Sequence, residues 1–174
     1  VIPSIYDLDT FSKKTGEELQ EQMWIFKEKS GKNCCLIPEV TGIIQEMFRN
    51  KWFYEYKKNP LKIFYVNRCY RYEKPQKGRY REFTQFGIEI LGGREKDKYK
   101  QESKDILNKV LSKFDKLKFK YNDSVKRGLG YYQENGFEVE CESLGAQKQI
   151  AGGGSYNEGV GWAIGVDRLM LALE

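Results

Sequence analysis

The chain has 174 residues, 40% of them hydrophobic, with 12 Tyr and 10 Phe, which is enough for one domain with a sizeable core and excludes a disordered chain although 32% of residues are charged. Thirty Lys and Arg against 25 Asp and Glu leave a formal net charge of +5, compatible with nucleotide or RNA partners and equally with a lysine-rich solvated surface. No apolar run approaches a membrane span and no secretory signal is visible, so the expectation is a protein without a membrane partner.

In chain order, Val1 to Ile5 reads as a short strand. Ser30-Gly31-Lys32 reads as a hairpin turn between strands at 24–26 and 34–36. Thr41 precedes Ile43, Ile44, Met47 and Phe48, an amphipathic helix that Thr41 or Glu39 caps. Asn59-Pro60 ends that region. An apolar run from Ile63 then leads into Arg71-Tyr-Glu-Lys-Pro-Gln-Lys-Gly-Arg-Tyr-Arg81, and a strand-like run follows to Leu91. Pro75 and Gly78 break the middle, giving strand, tight charged loop, strand, with Gly92-Gly93 closing the hairpin.

Further on, Ile106, Leu107, Val110, Leu111, Phe114 and Leu117 fall at helical spacing with lysines opposite. They read as a half-buried scaffold helix in preference to an RNA-binding face. Phe137 to Cys141 alternates as a strand. Ala151-Gly-Gly-Gly154 reads as a tight turn or close-approach loop, a flexible linker being the plain alternative. Trp162–Ile164 is a strand and Val166–Leu173 an apolar-faced helix. The order predicts an α+β fold, one domain over 1–174, with a largely antiparallel sheet flanked by helices.

The chemistry concentrates in the charged hairpin. Arg71, Arg79, Arg81 and Lys77 gather around its loop, and guanidinium forks at fixed places suit a polyphosphate. In the second strand Arg81, Phe83, Gln85, Gly87 and Glu89 share one face, and Tyr80, Thr84, Phe86, Ile88 and Ile90 the other. The second face reads as core. The first reads as the floor of a polar pocket, against the alternative of a plain solvent-facing side. The chain has no histidine, which excludes Ser-His-Asp and Cys-His nucleophile systems and leaves positioning and charge stabilisation as the means of catalysis. Cys34, Cys35, Cys69 and Cys141 contain no Cys-x-x-Cys pair. No metal ligand set is therefore assigned, and reduced thiols in a cytoplasm are expected.

The stretch from Arg71 to Glu89 closely resembles motif 2 of the class II aminoacyl-tRNA synthetases, specifically of the histidyl-tRNA synthetases. Three further segments resemble that family in its order. They are Leu36-Ile-Pro-Glu-Val-Thr41 (amino-acid loop), Arg127-Gly-Leu-Gly-Tyr-Tyr132 (histidine signature) and Gly161-Trp-Ala-Ile-Gly-Val-Asp-Arg168 (motif 3). The resemblance implies ATP and Mg2+ as cofactors, with histidine and the tRNA acceptor end as partners. By the same resemblance Arg71 holds the α-phosphate, Glu73 meets the adenine edge and Phe83 stacks on the ring. Arg79 and Arg168 hold the outer phosphates, and Arg127 stabilises charge at the α-phosphate. Glu39, Thr41 and Gln85 take the α-amino group, while Glu89, Tyr131, Tyr132 and Tyr156 lie with the imidazole. A homodimer is also implied, through a motif 1 whose strand lies near Pro3.

Departures from the family are specific. Ile37 stands where the family has Arg, Gly130 where it has Asp, Asp167 for Glu, and Ser155 where Arg is usual. Only 92–126 lies between motif 2 and the histidine signature, room for one helix and a strand where the family inserts a domain; the chain also stops at the motif 3 helix, before any anticodon-binding domain. Two classes of function follow. One is a minimal core that activates histidine and charges tRNA or another acceptor. The other is a non-catalytic paralogue, either a histidine-sensing regulatory subunit of ATP phosphoribosyltransferase or a tRNA-sensing pseudo-synthetase. The arginines Arg71, Arg79, Arg127 and Arg168 favour the first.

Overall fold

The computed structural model describes residues 1–12, 16–125, 132, 136–145 and 148–174. A small sheet is built from β1 (Ile5–Asp7), β2 (Ile25–Lys27) and β3 (Asn33–Leu36), with β3 in the middle and both pairings antiparallel. The β2–β3 turn contains Gly31 at φ 85°, as the Ser-Gly-Lys turn requires. The N-terminal strand differs from expectation. It starts at Ile5, where the predicted strand ended, because Ile5 to Asp7 is the segment that pairs with Cys34 to Leu36. Two short helices, α1 (Leu8–Ser12) and α2 (Glu17–Glu21), connect β1 to β2.

Helix α3 (Thr41–Met47) buries Ile43 and Ile44 and continues as a π-helical turn over Phe48–Trp52. Its first turn is fastened by Glu39, whose carboxylate accepts from the Gly42 amide at 2.8 Å; of the two candidate caps, Glu39 makes the bond.

The main sheet has six strands, all antiparallel, in the order β4-β5-β9-β8-β7-β6. They are β4 (Leu61–Tyr70), β5 (Glu82–Leu91), β6 (Phe119–Val125), β7 (Gly136–Cys141), β8 (Gln149–Tyr156) and β9 (Gly159–Gly165). β4 and β5 pair in unbroken register from Leu61↔Leu91 to Tyr70↔Glu82, so the charged stretch is the hairpin loop the sequence implies.

Two helices cover one face of this sheet, α4 (Lys96–Leu111) and α5 (Val166–Leu173). Ile88, Phe86, Trp162, Ile164, Leu107, Leu111 and Leu169 form the core between them. Trp162 Nε1 donates to the Ser103 carbonyl at 2.7 Å and ties α4 to β9. The lysine-rich run is not one helix to Leu117: α4 stops at Leu111, and Phe114 and Leu117 pack on the core from the loop that follows.

The opposite face carries a second core of Val40, Ile44, Phe48, Tyr65, Cys69, Leu91 and Tyr156. There the strand partners are small. Gly165 lies opposite Gln85, Ala163 lies between Gly87 and Gly152, and Gly161 lies between Glu89 and Gly154. The Ala151–Gly154 segment is therefore not a turn or linker but the middle of β8. Its glycines do permit close approach: a Cβ on Gly154 would sit 2.8 Å from Tyr132, and one on Gly161 only 1.7 Å from the Glu89 carboxylate. Among the described residues no helix is long and apolar enough to cross a membrane.

Gly153 faces the helix-covered core, where a Cβ would lie 2.3 Å from the Gly161 carbonyl oxygen and 2.9 Å from the Trp162 Cα. Backbone cannot yield as a side-chain tip can. Gly153→Ala should cost roughly 1–3 kcal/mol of stability, as overpacking does. Urea denaturation measures it, and a midpoint equal to wild type would show that the sheet relaxes there.

Candidate active site

The β4–β5 loop folds back over the small-residue face and encloses a cavity of about 170 Å3. Arg71, Glu73, Arg79, Phe83, Gln85, Asp167 and Arg168 line it, with Gly152, Ala163 and Gly165 below. Three arginines from separate places in the chain thus meet at one space. Arg71 leaves the end of β4, donates from Nε to the Pro38 carbonyl at 3.0 Å and lies over the Phe83 ring, 5.2 Å from its centroid. Arg79 pairs with the buried Glu73 carboxylate. Arg168, on the first turn of α5, donates to the Gln149 carbonyl through Nε and to the Gly78 carbonyl through a terminal nitrogen at 3.0 Å. It therefore staples the loop and the start of β8 to α5.

Burial pulls the Arg168 guanidinium below its ordinary pKa, and nearby Arg79 pulls it the same way, with Glu73 opposing. A polyanion in the cavity would relieve that repulsion. The Asp167 carboxylate accepts from the Thr84 amide at 2.7 Å and locks the start of α5 to β5. Arg81 does not join the group. It donates to the Glu73 carbonyl at 3.1 Å and stacks over Tyr72, 4.2 Å from the ring centroid, outside the cavity.

Further along the same face of β5 lies a buried polar cluster. Glu89 is 0% exposed; Thr41 donates to one of its oxygens at 2.6 Å and the Tyr156 hydroxyl to the other. Burial pushes its carboxyl up to about 8, and the two hydroxyl donors hold it from going further. The same burial raises the Tyr156 phenol well above its ordinary value. Tyr132 packs edge-on against Tyr156, ring centroids 6.5 Å apart, and Glu39 is buried at the start of α3.

The structure thus gathers Arg71, Glu73, Arg79, Phe83, Gln85 and Arg168 around the cavity, and Glu39, Thr41, Glu89, Tyr132 and Tyr156 in the buried region beside it. Arg127 and Tyr131 lie outside the described residues. Sequence reasoning passed over Cys69, whose thiol lies 3.3 Å from the Gln85 amide oxygen and is pushed by burial to about 12. It also passed over Asp167 as a locking residue and over the small-residue floor. Small residues at alternate positions in 150–165 were the signal for the floor.

The model of the tRNA synthetase class II core domain (G, H, P, S and T) matches residues 24–167. The chain belongs to this family. The histidine–tRNA ligase of Archaeoglobus fulgidus is 28% identical over 270 residues, covering 96% of this chain and 66% of that protein. The chain therefore spans a little under two thirds of the length of such relatives. Among solved structures, apo S. aureus histidyl-tRNA synthetase superposes with a TM-score of 0.75 at 24% identity, covering 99% of this chain and 59% of that one. An ATP phosphoribosyltransferase regulatory subunit/histidyl-tRNA synthetase from Bacillus halodurans gives 0.78 at 14% identity, over 100% of this chain and 73% of that one. These likenesses establish the class II fold, with its antiparallel sheet flanked by helices.

Glu89 generates a prediction about pH. A carboxyl whose pKa is raised by folding binds its proton more tightly in the folded state. It favours folding at low pH, and its penalty grows as pH climbs from the usual carboxylate range to about 8. Wild type should therefore lose stability relative to Glu89→Gln between those limits, read as diverging urea midpoints. Parallel pH profiles for the two proteins would show that Glu89 ionises as an ordinary carboxyl.

Proposed function

We propose that the chain is a catalytic core that activates histidine with ATP, giving histidyl-adenylate and pyrophosphate, and transfers the histidyl group to a terminal hydroxyl at the acceptor end of a tRNA, with AMP as the leaving group. The observation that carries this reading is the convergence of Arg71, Arg79 and Arg168 on one cavity that Phe83 and Gln85 also line. Membership of the class II family and similarity to histidine–tRNA ligases support it.

In this reading an oxygen of the histidine carboxylate attacks the α-phosphorus, the bond to the bridging oxygen breaks, and pyrophosphate leaves with the electron pair. No proton need move in that step, which suits a chain without histidine. Arg71 and Arg127 meet the charge that develops at the α-phosphate; Arg79 and Arg168 meet the departing phosphates. Arginines preorganised in a confined site each contribute a few kcal/mol to such a step. Phe83 offers a ring to the adenine and Glu73 a carboxylate to its edge. Glu39, Thr41 and Gln85 orient the amino group, and Glu89 with Tyr131, Tyr132 and Tyr156 takes the imidazole.

Mg2+ fits as a companion of the phosphates. The cavity's carboxylates, Glu73 and Asp167, are engaged by Arg79 and the Thr84 amide, and Mg2+ typically takes one or two carboxylates together with substrate phosphates. When bound it supplies further neutralisation of phosphate charge.

ATP–pyrophosphate exchange across the amino acids tests the proposal. Histidine should support exchange above all others; no exchange with any amino acid would replace the reading with a histidine-sensing or tRNA-sensing paralogue. Arg71→Ala should weaken ATP binding by at least ~1.5 kcal/mol, about tenfold, as loss of a charge-assisted contact does. Equal calorimetric affinity would remove Arg71 from the site.

The reading extends to a homodimer. β1 is an edge strand of its sheet, and its first residue, Ile5, is 47% exposed. Light scattering over a concentration series should give twice the mass of the 20.4 kDa chain; a constant monomer mass would refute it.

A further inference from the structure

At the opposite end of the β4–β5 hairpin from the arginine cavity lies a second cavity of about 430 Å3. It falls within the range of roughly 300–1,000 Å3 typical of small-ligand sites. Ten residues of β5 separate the two ends, so the sites lie on the order of 30 Å apart.

Three segments form this cup. The π-helical turn after α3 supplies Phe48 and Arg49, and the turn that follows supplies Phe53 and Lys57. The Gly92-Gly93 bend and the start of α4 supply Arg94 and Lys96, and the β8–β9 turn supplies Asn157 and Glu158. The segments are bound to one another. Gly92 N donates to the Glu158 carbonyl at 2.8 Å and Gly93 N to the Tyr56 carbonyl at 3.0 Å. Both glycines have positive φ, and a Cβ on Gly92 would lie 2.2 Å from the Tyr56 carbonyl oxygen.

The lining combines two chemistries. Phe53 keeps 42% of its surface exposed, packed edge-on between buried Phe48 and Tyr54, with ring centroids 6.2 and 5.5 Å away; Tyr54 is 90% exposed. Around these rings stand Arg49, Lys57, Arg94 and Lys96. The one carboxylate in the lining, Glu158, is paired with Arg49. Among the described residues Lys57, Arg94 and Lys96 have no ion-pair partner, so the lining sets four cations against one carboxylate beside an exposed ring, with Glu55, Glu95 and Asp97 near them in the chain.

Cations alone would suit any anion, and rings alone any apolar group. Together at this size they suit a flat heterocycle carrying phosphate. We infer that this cup binds a nucleoside phosphate, as one nucleotide of a single-stranded RNA, with the base against Phe53 and the phosphates against Lys57, Arg94 and Lys96. The inference is independent of the proposed activation of histidine, since it uses none of the residues of the arginine cavity.

The test uses the whole chain and a fluorescently labelled single-stranded RNA octamer, with binding read by anisotropy in the presence of saturating ATP. Arg94→Ala with Lys96→Ala should lower RNA affinity roughly tenfold or more. It should also reduce the salt slope by about 1.4 between roughly 50 and 200 mM salt, the value for two lost phosphate contacts to a single strand. Phe53→Ala should lower affinity roughly tenfold with little change in that slope, as loss of one stacking ring does. All three positions are exposed, and ATP–pyrophosphate exchange should be unchanged in each variant. RNA affinity insensitive to these substitutions, or RNA displaced by ATP, would overturn the inference. A parallel titration with AMP separates the sources: equal affinity for AMP and octamer, lost in the same variants, would assign the cup to a free nucleotide. Binding of inorganic phosphate as tight as that of AMP would refute a role for the ring.

Discussion

Three guanidinium groups share one small space, and the surrounding structure must offset their mutual repulsion. It does so with acceptors that cost little to place. The Pro38 carbonyl takes Arg71, the Gln149 and Gly78 carbonyls take Arg168, and the Glu73 carboxylate takes Arg79. The Glu73–Arg79 pair lies within the hairpin loop, whereas the acceptors of Arg71 and Arg168 belong to other segments than their arginines. Fixing the charges therefore also fixes the hairpin loop against α5, β8 and the loop before α3. The depressed pKa of Arg168 reflects the desolvation, and after it the repulsion from Arg79, that these contacts leave.

A second constraint is room. Polar side chains as large as Glu89, Tyr65 and Tyr156 can lie on a sheet only where neighbouring strands carry almost nothing. Gly161 sits beneath the Glu89 carboxylate, Gly87 beneath the Tyr65 ring and Gly154 beneath Tyr132. The glycines weaken β8 and β9 as strands, since each gives up side-chain packing and backbone order. That loss is balanced on the other face, where Trp162, Ile164, Phe137 and Val139 are almost wholly buried against α4 and α5. One sheet thus keeps its stabilising contacts on one side and its chemistry on the other.

The hairpin, the face division of β5, the helix at Thr41 and the final strand–helix unit were legible because each rests on local pattern: alternation, helical spacing, or a Pro-Gly break. The gathering of Arg71, Arg79 and Arg168 was legible only through resemblance, since nothing local links Arg168 to a loop ninety residues earlier. Ala151–Gly154 was misread because glycine propensity favours turns, and only the partner strands reveal that its small size serves a sheet. The N-terminal strand was placed too early because its extent is set by where β3 ends, not by its own residues. The end of α4 was hidden because Phe114 and Leu117 keep the helical spacing while packing from a loop.

The strand order has a consequence for the way the chain is made. β5 pairs on one side with β4, its neighbour in sequence, but on the other with β9, after α4 and three further strands have intervened. On the ribosome the β4–β5 hairpin emerges complete, yet its inner edge has no partner until β9, beginning at Gly159, has been synthesised. During that interval Phe86, Ile88 and Ile90 stand uncovered on one face and unpaired backbone on the edge, the conditions under which strands seek foreign partners. The Lys and Arg flanking this hairpin, Lys62, Arg68, Lys74 and Lys77 among them, would then keep nascent chains apart by charge. The same basic character that serves the finished protein would protect the unfinished one.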